Sequence, residues 1–138
     1  VLLHKLFSRV LIMIKSSRNQ CGNAKNPYQG KTKKVLCVCS AGLLRSPTTA
    51  KYLTTKYGYN TRACGVSEEY ALVPISTALI LWSDEIVFAE EEHYQEVKKY
   101  LGECGYEGRL TILNIPDMYS YDAPEIHEFL DEKYKVEV

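Results

Sequence analysis

From Lys34 onward the chain alternates short apolar runs with longer segments whose apolar residues recur at helical spacing. Val35 to Cys39 is a run of strand length, followed by a glycine-containing loop and then by Ser46-Pro47, which opens a helix carrying Ala50, Leu53 and Tyr57 on one face. Gly58 ends that helix, and Thr61 to Val66 reads as a second strand. Pro74 is expected to begin a helix, because Ile75, Ala78, Leu79 and Trp82 follow i, i+3, i+4, i+7 spacing. Ile86 to Ala89 has the character of a buried strand, Glu90 to Leu101 that of a helix with Tyr94, Val97 and Leu101 inward, and Leu110 to Ile115 that of a fourth strand. The loop Pro116 to Ala123 leads to a last helix that buries Ile126, Phe129 and Leu130.

Strands that alternate with helices need crossovers, and right-handed crossovers lay helices against both faces of a parallel sheet. The pattern therefore predicts an α/β, doubly wound, three-layer fold around a four-stranded parallel sheet. Ligands of such sheets bind beyond the carboxyl ends of the strands, which singles out the loops after Cys39 and after Ile115.

A length of 138 residues suits one domain, and a chain 46% hydrophobic and 25% charged excludes a fibrous or wholly disordered protein. The formal net charge of zero conceals an asymmetry. Residues 1–34 hold eight Lys and Arg and no acid, so subtraction from the totals of 17 and 17 leaves nine basic and seventeen acidic residues in 35–138. We therefore divide the chain into a basic N-terminal extension, 1–33, expected to be flexible or non-native, and a folded domain, 34–138. The apolar stretch Val10 to Ile14 is too short for a membrane span and lacks a convincing small-residue cleavage site. Five cysteines, an odd number without framework spacing, point to a reducing compartment and a cytoplasmic location.

The segment Cys39-Ser40-Ala41-Gly42-Leu43-Leu44-Arg45-Ser46 places a thiol at a strand end, five residues in a loop, and an arginine just before a helix. That arrangement suits a phosphate. Backbone N–H groups of a tight loop form a nest for an oxyanion, the helix dipole adds positive potential, and the Arg45 guanidinium can grip two oxygens. The same donors favour a Cys39 thiolate, which would attack phosphorus and form a cysteinyl-phosphate. Ser46 is expected both to cap the helix and to donate to the thiolate.

VLCVCSAGLLRSPTTA at 35–50 and LNIPDMYSYDAPEI at 113–126 resemble the low-molecular-weight protein tyrosine phosphatases, in particular a compact bacterial and phage subgroup. The resemblance spans about residues 34 to 135. It implies Cys39 as nucleophile, Arg45 as phosphate clamp, Ser46 as thiolate partner, Asp117 as general acid, and the loop Ser40, Ala41, Gly42, Leu43 and Leu44 as the phosphate cradle. A phenol is a poor leaving anion, with a pKa of about 10, so the reaction needs an acid at its oxygen. Asp117 and Asp122 compete for that role: Asp117 directly follows the fourth strand, whereas Asp122 could instead cap the last helix. Tyr119 and Tyr121 are candidates for the wall of an aromatic slot. The chain departs from the subgroup at Gly42, usually Asn; at Leu44, where many relatives carry a protective cysteine; and at Met118, usually Pro.

Cys64 and Cys104 lack partners at metal-ligand spacing, and Cys37 with Cys39 supplies too few ligands for zinc, so no metal or other cofactor is expected. Cys37 reads as a buried, inert thiol. His93 and His127 read as packing or solvated residues, and Glu90 to Glu92 as a first helical turn that complements its dipole. The expected function is phosphomonoester hydrolysis of phosphotyrosine protein or a small aryl phosphate by a monomer, with nucleic acid not an expected partner. The alternatives are an arsenate reductase on the same fold, or a non-catalytic module that binds a phosphate or a partner.

Overall fold

The computed structural model describes residues 32–136, so residues 1–31, with most of the basic extension and Cys21, lie outside the described residues. Four strands, β1 (Lys34–Cys39), β2 (Asn60–Gly65), β3 (Glu85–Phe88) and β4 (Arg109–Ile112), form one sheet in the order β2-β1-β3-β4, and every pairing is parallel. Helices α1 (Arg45–Tyr57), α2 (Thr77–Trp82) and α3 (Glu91–Cys104) connect successive strands, and α4 (Pro124–Lys133) follows β4.

Alternation along β1 assigns the two faces. Val35 and Cys37 join Ala50, Leu53, Ile126 and Leu130 in a core under α1 and α4, whereas Leu36 and Val38 join Ile80, Ile86, Phe88, Val97 and Leu101 under α2 and α3. Because β1 is covered on both faces and paired on both edges, it must read as a continuous apolar run, and Val35 to Cys39 are all buried. The chain steps from β1 to β2 in one direction and then reverses, crossing back over β1 to reach β3. The reversal puts the switch point of the sheet at the carboxyl end of β1, where Cys39 ends the strand.

Three boundaries differ from the sequence pattern, each for a local reason. Pro74 does not begin α2: its neighbours serve the sheet edge, with Gly65 N–H donating to Val73 O at 3.0 Å and Ile75 N–H donating to Gly65 O at 2.9 Å. The helix starts only at Thr77, capped by Ser76 Oγ, and its buried anchor is Ile80 while Ala78 faces solvent. Strand β4 stops at Ile112, since Asn114 adopts a φ of 57° that turns the chain, although Leu113 and Ile115 remain buried. Helix α3 runs on to Cys104, closed by Gly105 at a φ of 67°.

At the amino edge of the sheet, buried Glu85 takes hydrogen bonds from Thr111 Oγ1 at 2.6 Å and Tyr134 O–H at 2.9 Å, and pairs with Lys33 Nζ at 2.7 Å. The hollow of about 630 Å³ on that edge is lined by Lys33 and Arg109, both paired with Glu85, and by acidic Asp84 and Glu107. Its cations are thus already neutralised, and Cys39 lies at the opposite edge. No helix among the described residues is long and apolar enough to cross a membrane.

Candidate active site

The loop between β1 and α1 is built tightly around Cys39. Its thiol is buried, with Gly42 N–H donating to Sγ at 3.2 Å and Ser46 Oγ at 3.1 Å from it. The Gly42 turn is made at a φ of 72°, and a side chain there would meet Cys64 carbonyl carbon at 2.9 Å, so glycine is required by both conformation and space. Ser46 does not cap α1. The helix begins at Arg45, and the Ser46 hydroxyl instead reaches Cys64 O at 3.2 Å and the thiol, leaving its single proton to turn toward sulfur when sulfur is charged.

The segment after β2 straps this loop from below. Val66 N–H donates to Cys39 O at 2.9 Å, and Ser67 N–H to Ser40 O at 3.0 Å. Those bonds satisfy two carbonyls of the loop and leave its amides free of them, which is the polarity an anion site needs.

Arg45 is only 2% exposed, yet it is charged, and its surroundings account for that. Nη1 pairs with the Glu90 carboxylate and donates to Ile115 O at 2.9 Å, while Nη2 donates to Ser40 Oγ at 3.3 Å and lies 3.7 Å from Asp117 Oδ2. Nη1 is therefore committed to the protein. The two-oxygen grip expected of the guanidinium is thereby left to Nη2 and Nε.

Cys39, Ser40, Ala41, Leu43, Leu44, Arg45 and Asp117 line one cavity of about 220 Å³ at the carboxyl edge of the sheet. The loop after β1 and the loop after β4 meet there, 72 residues apart in sequence by the difference of 117 and 45. Asp117 is 62% exposed. Asp122 is differently placed. Its carboxylate is held by Lys51 Nζ and His127 Nε2, each at 2.7 Å, and these partners keep it below the usual carboxylate range. Nor does it cap α4, whose cap residue is Ala123. Tyr119 packs its ring on Phe129 with centroids 6.0 Å apart and is not among the cavity-lining residues, so the aromatic wall expected of it is not seen.

The fold has a solved counterpart. YwlE arginine phosphatase, solved as a cysteine-to-serine mutant with a phosphorylated active-site serine, is similar at a TM-score of 0.50 and 18% identity over 72% of this chain and 87% of that chain. No family model and no curated protein matches the sequence. At that identity the likeness is one of fold, and it agrees with the α/β, doubly wound architecture described above.

Two neighbours of the loop were not legible in the sequence. Glu90, taken there as a dipole partner, is the counterion of Arg45. His93, taken as packing or solvated, is completely buried and sits 2.9 Å from Ser40 Oγ through Nε2, while its Nδ1 accepts the Glu90 N–H at 3.1 Å. Only the x-x spacing of Glu90 and His93, a reciprocal cap, could have marked them. Burial, and secondly the nearby Arg45 charge, push the His93 pKa below its ordinary value of 6.5. Protons therefore bind the unfolded chain more readily than the folded one below that value, so stability rises with pH through this window and levels off above 6.5. We expect urea midpoints to fall on acidification below pH 6.5 in the wild type and this part of the slope to vanish in His93→Gln.

Proposed function

We propose that the protein is a metal-independent phosphomonoester hydrolase that works through a cysteinyl-phosphate at Cys39. The observation that carries this reading is the convergence, in one cavity, of a buried thiol receiving a backbone N–H, a buried arginine, and an exposed aspartate across the opening. The loop amides and the adaptable Nη2 of Arg45 hold the phosphate oxygens. Cys39 thiolate attacks phosphorus, forming the P–S bond as the P–O bond to the leaving group breaks, and Asp117 gives its proton to the departing oxygen. Water then attacks phosphorus, its proton passing to the Asp117 carboxylate, and the P–S bond breaks to return the thiolate. Ser46 O–H supports the charged sulfur at both ends of the cycle.

Ala41, Leu43 and Leu44 give the cavity apolar walls that suit a flat aryl group, which favours phosphotyrosine or another aryl phosphate as substrate. The fold likeness to an arginine phosphatase makes phosphoarginine the second substrate class to compare. An arsenate reductase would need resolving thiols poised for attack. Cys37 and Cys64 are fully buried, and burial pushes both thiols up, so neither supports that chemistry.

The test is hydrolysis of p-nitrophenyl phosphate in the presence of a metal chelator, followed by comparison of phosphotyrosine and phosphoarginine peptides. Turnover with chelator present is expected, and its absence would overturn the proposal. Asp117→Asn should lower kcat on p-nitrophenyl phosphate by about 10²- to 10⁴-fold, the usual worth of a positioned proton donor. Asp122→Asn should leave kcat within a few-fold while lowering the melting temperature, since its carboxylate ties α4 to Lys51 of α1. The opposite ranking would transfer the acid role to Asp122.

A further inference from the structure

We infer that His93 is a positioning residue that makes the Ser40 hydroxyl a fixed hydrogen-bond donor to the bound phosphate. The inference rests on the phosphatase reading above and adds to it a side chain from α3, an element that supplies nothing to the cavity lining.

An amide N–H can only donate, so the bond from Glu90 N to His93 Nδ1 at 3.1 Å requires a bare Nδ1, and the neutral ring must carry its proton on Nε2. Nε2 lies 2.9 Å from Ser40 Oγ and therefore donates to it. Arg45 Nη2 is also only a donor, and it reaches the same oxygen at 3.3 Å. A hydroxyl has two lone pairs and one proton. With both lone pairs taken, Ser40 has only its proton left to offer, and the residue lines the cavity beside Cys39 and Arg45. A serine free to rotate could present a lone pair to the phosphate and repel it; here that orientation is closed off before substrate arrives, which is electrostatic preorganisation.

The first turn of α3 does this as a unit. The Glu90 carboxylate receives the His93 backbone N–H and pairs with Arg45, and the His93 ring receives the Glu90 N–H and braces Ser40. A ring that is 1% exposed has no solvent to satisfy Nε2, and Glu92 Oε1 stands 3.8 Å away, outside hydrogen-bond range, so Ser40 is its partner. Gly42 contributes no side chain to hold the loop, whose side-chain tethers include Ser40, Arg45, Ser46 and Thr48.

The experiment uses Ser40→Ala, His93→Asn, His93→Gln and the double variant Ser40→Ala/His93→Asn of the full chain. Asparagine keeps an acceptor for the Glu90 N–H but is too short for Ser40, whereas the glutamine amide reaches the Nε2 position. Ser40→Ala and His93→Asn should each lower kcat on p-nitrophenyl phosphate by about 10- to 10²-fold, the double variant should be no slower than either single one, and His93→Gln should recover most of the rate. Losses that multiply, an unchanged kcat in Ser40→Ala, or His93→Gln as slow as His93→Asn would overturn the inference. Two readouts do not depend on turnover or on a variant that folds. Side-chain ¹⁵N spectra of the wild type should show His93 protonated at Nε2, and protonation at Nδ1 would overturn the inference alone. Calorimetric binding of inorganic phosphate should weaken equally in Ser40→Ala and His93→Asn. A wild type that binds phosphate without hydrolysing the ester would sink the hydrolase reading while leaving the positioning role to be decided by those affinities; one that does neither would sink both.

Discussion

Cys39→Ser is expected to abolish measurable hydrolysis of p-nitrophenyl phosphate, a loss of about 10⁴-fold or more, while the protein stays folded and keeps its affinity for inorganic phosphate. Sγ receives the Gly42 amide at 3.2 Å and stands 3.1 Å from Ser46 Oγ, a pair of donors that can stabilise a thiolate. The same two donors cannot ionise an aliphatic hydroxyl near neutral pH, and among the described residues no side chain within hydrogen-bond range of Sγ is a base that could remove its proton. The oxygen is smaller than sulfur, so the loop closes around it without strain and the anion site made of amides and Arg45 persists. Loss of turnover with retained phosphate binding separates nucleophile from cradle. Retained turnover would show that phosphorus is attacked by something other than Cys39, and the covalent route would fall.

How much of this is legible in the sequence depends on the range of the interaction concerned. The nucleophile loop is local: thiol, turn and arginine fall within eight residues, and the strand before it is recognisable because a doubly covered strand must be apolar throughout. The sheet class followed from alternation alone. Asp117 was reachable because it follows β4 directly, and all strands of a parallel sheet end on the same edge. What could not be read were the partners supplied from elsewhere. Glu90 lies 45 residues from Arg45, and its place in a glutamate run has a sufficient local explanation in the helix dipole. His93 was hidden for the same reason, since a histidine after three glutamates looks solvated until α3 is docked with its first turn against the loop. Pro74 misled because Ile75, at the head of the helical pattern, belongs instead to a sheet-edge stub in which Pro74 pairs with Gly65, and Tyr119 because a tyrosine in a loop does not disclose which way its ring folds.

The second large effect is expected at a residue that bears no chemistry. Gly65→Ala should lower stability by about 2–4 kcal/mol and kcat by about 10²-fold or more. Gly65 ends β2 directly beside Cys39, and a methyl group there would lie 2.5 Å from Ser40 O, 2.6 Å from Ala41 carbonyl carbon and 2.9 Å from Ala71 Cβ. Two of those three contacts are backbone, so no side-chain rotation relieves them. Gly65 cannot recoil either, because its N–H and C=O are fixed to Val73 and Ile75 at 3.0 and 2.9 Å. The strain must therefore appear in the phosphate loop, displacing the Ser40 and Ala41 peptides that face the anion and loosening the strap from Ser67 to Ser40. Gly102→Ala is the matched control: its Cβ would meet nothing within 4 Å inside α3, so it should stabilise by about 0.5–1 kcal/mol with kcat unchanged. If Gly65→Ala loses stability yet keeps the wild-type kcat, the position of the Ser40–Ala41 backbone does not govern the rate, and phosphate capture must depend chiefly on Arg45.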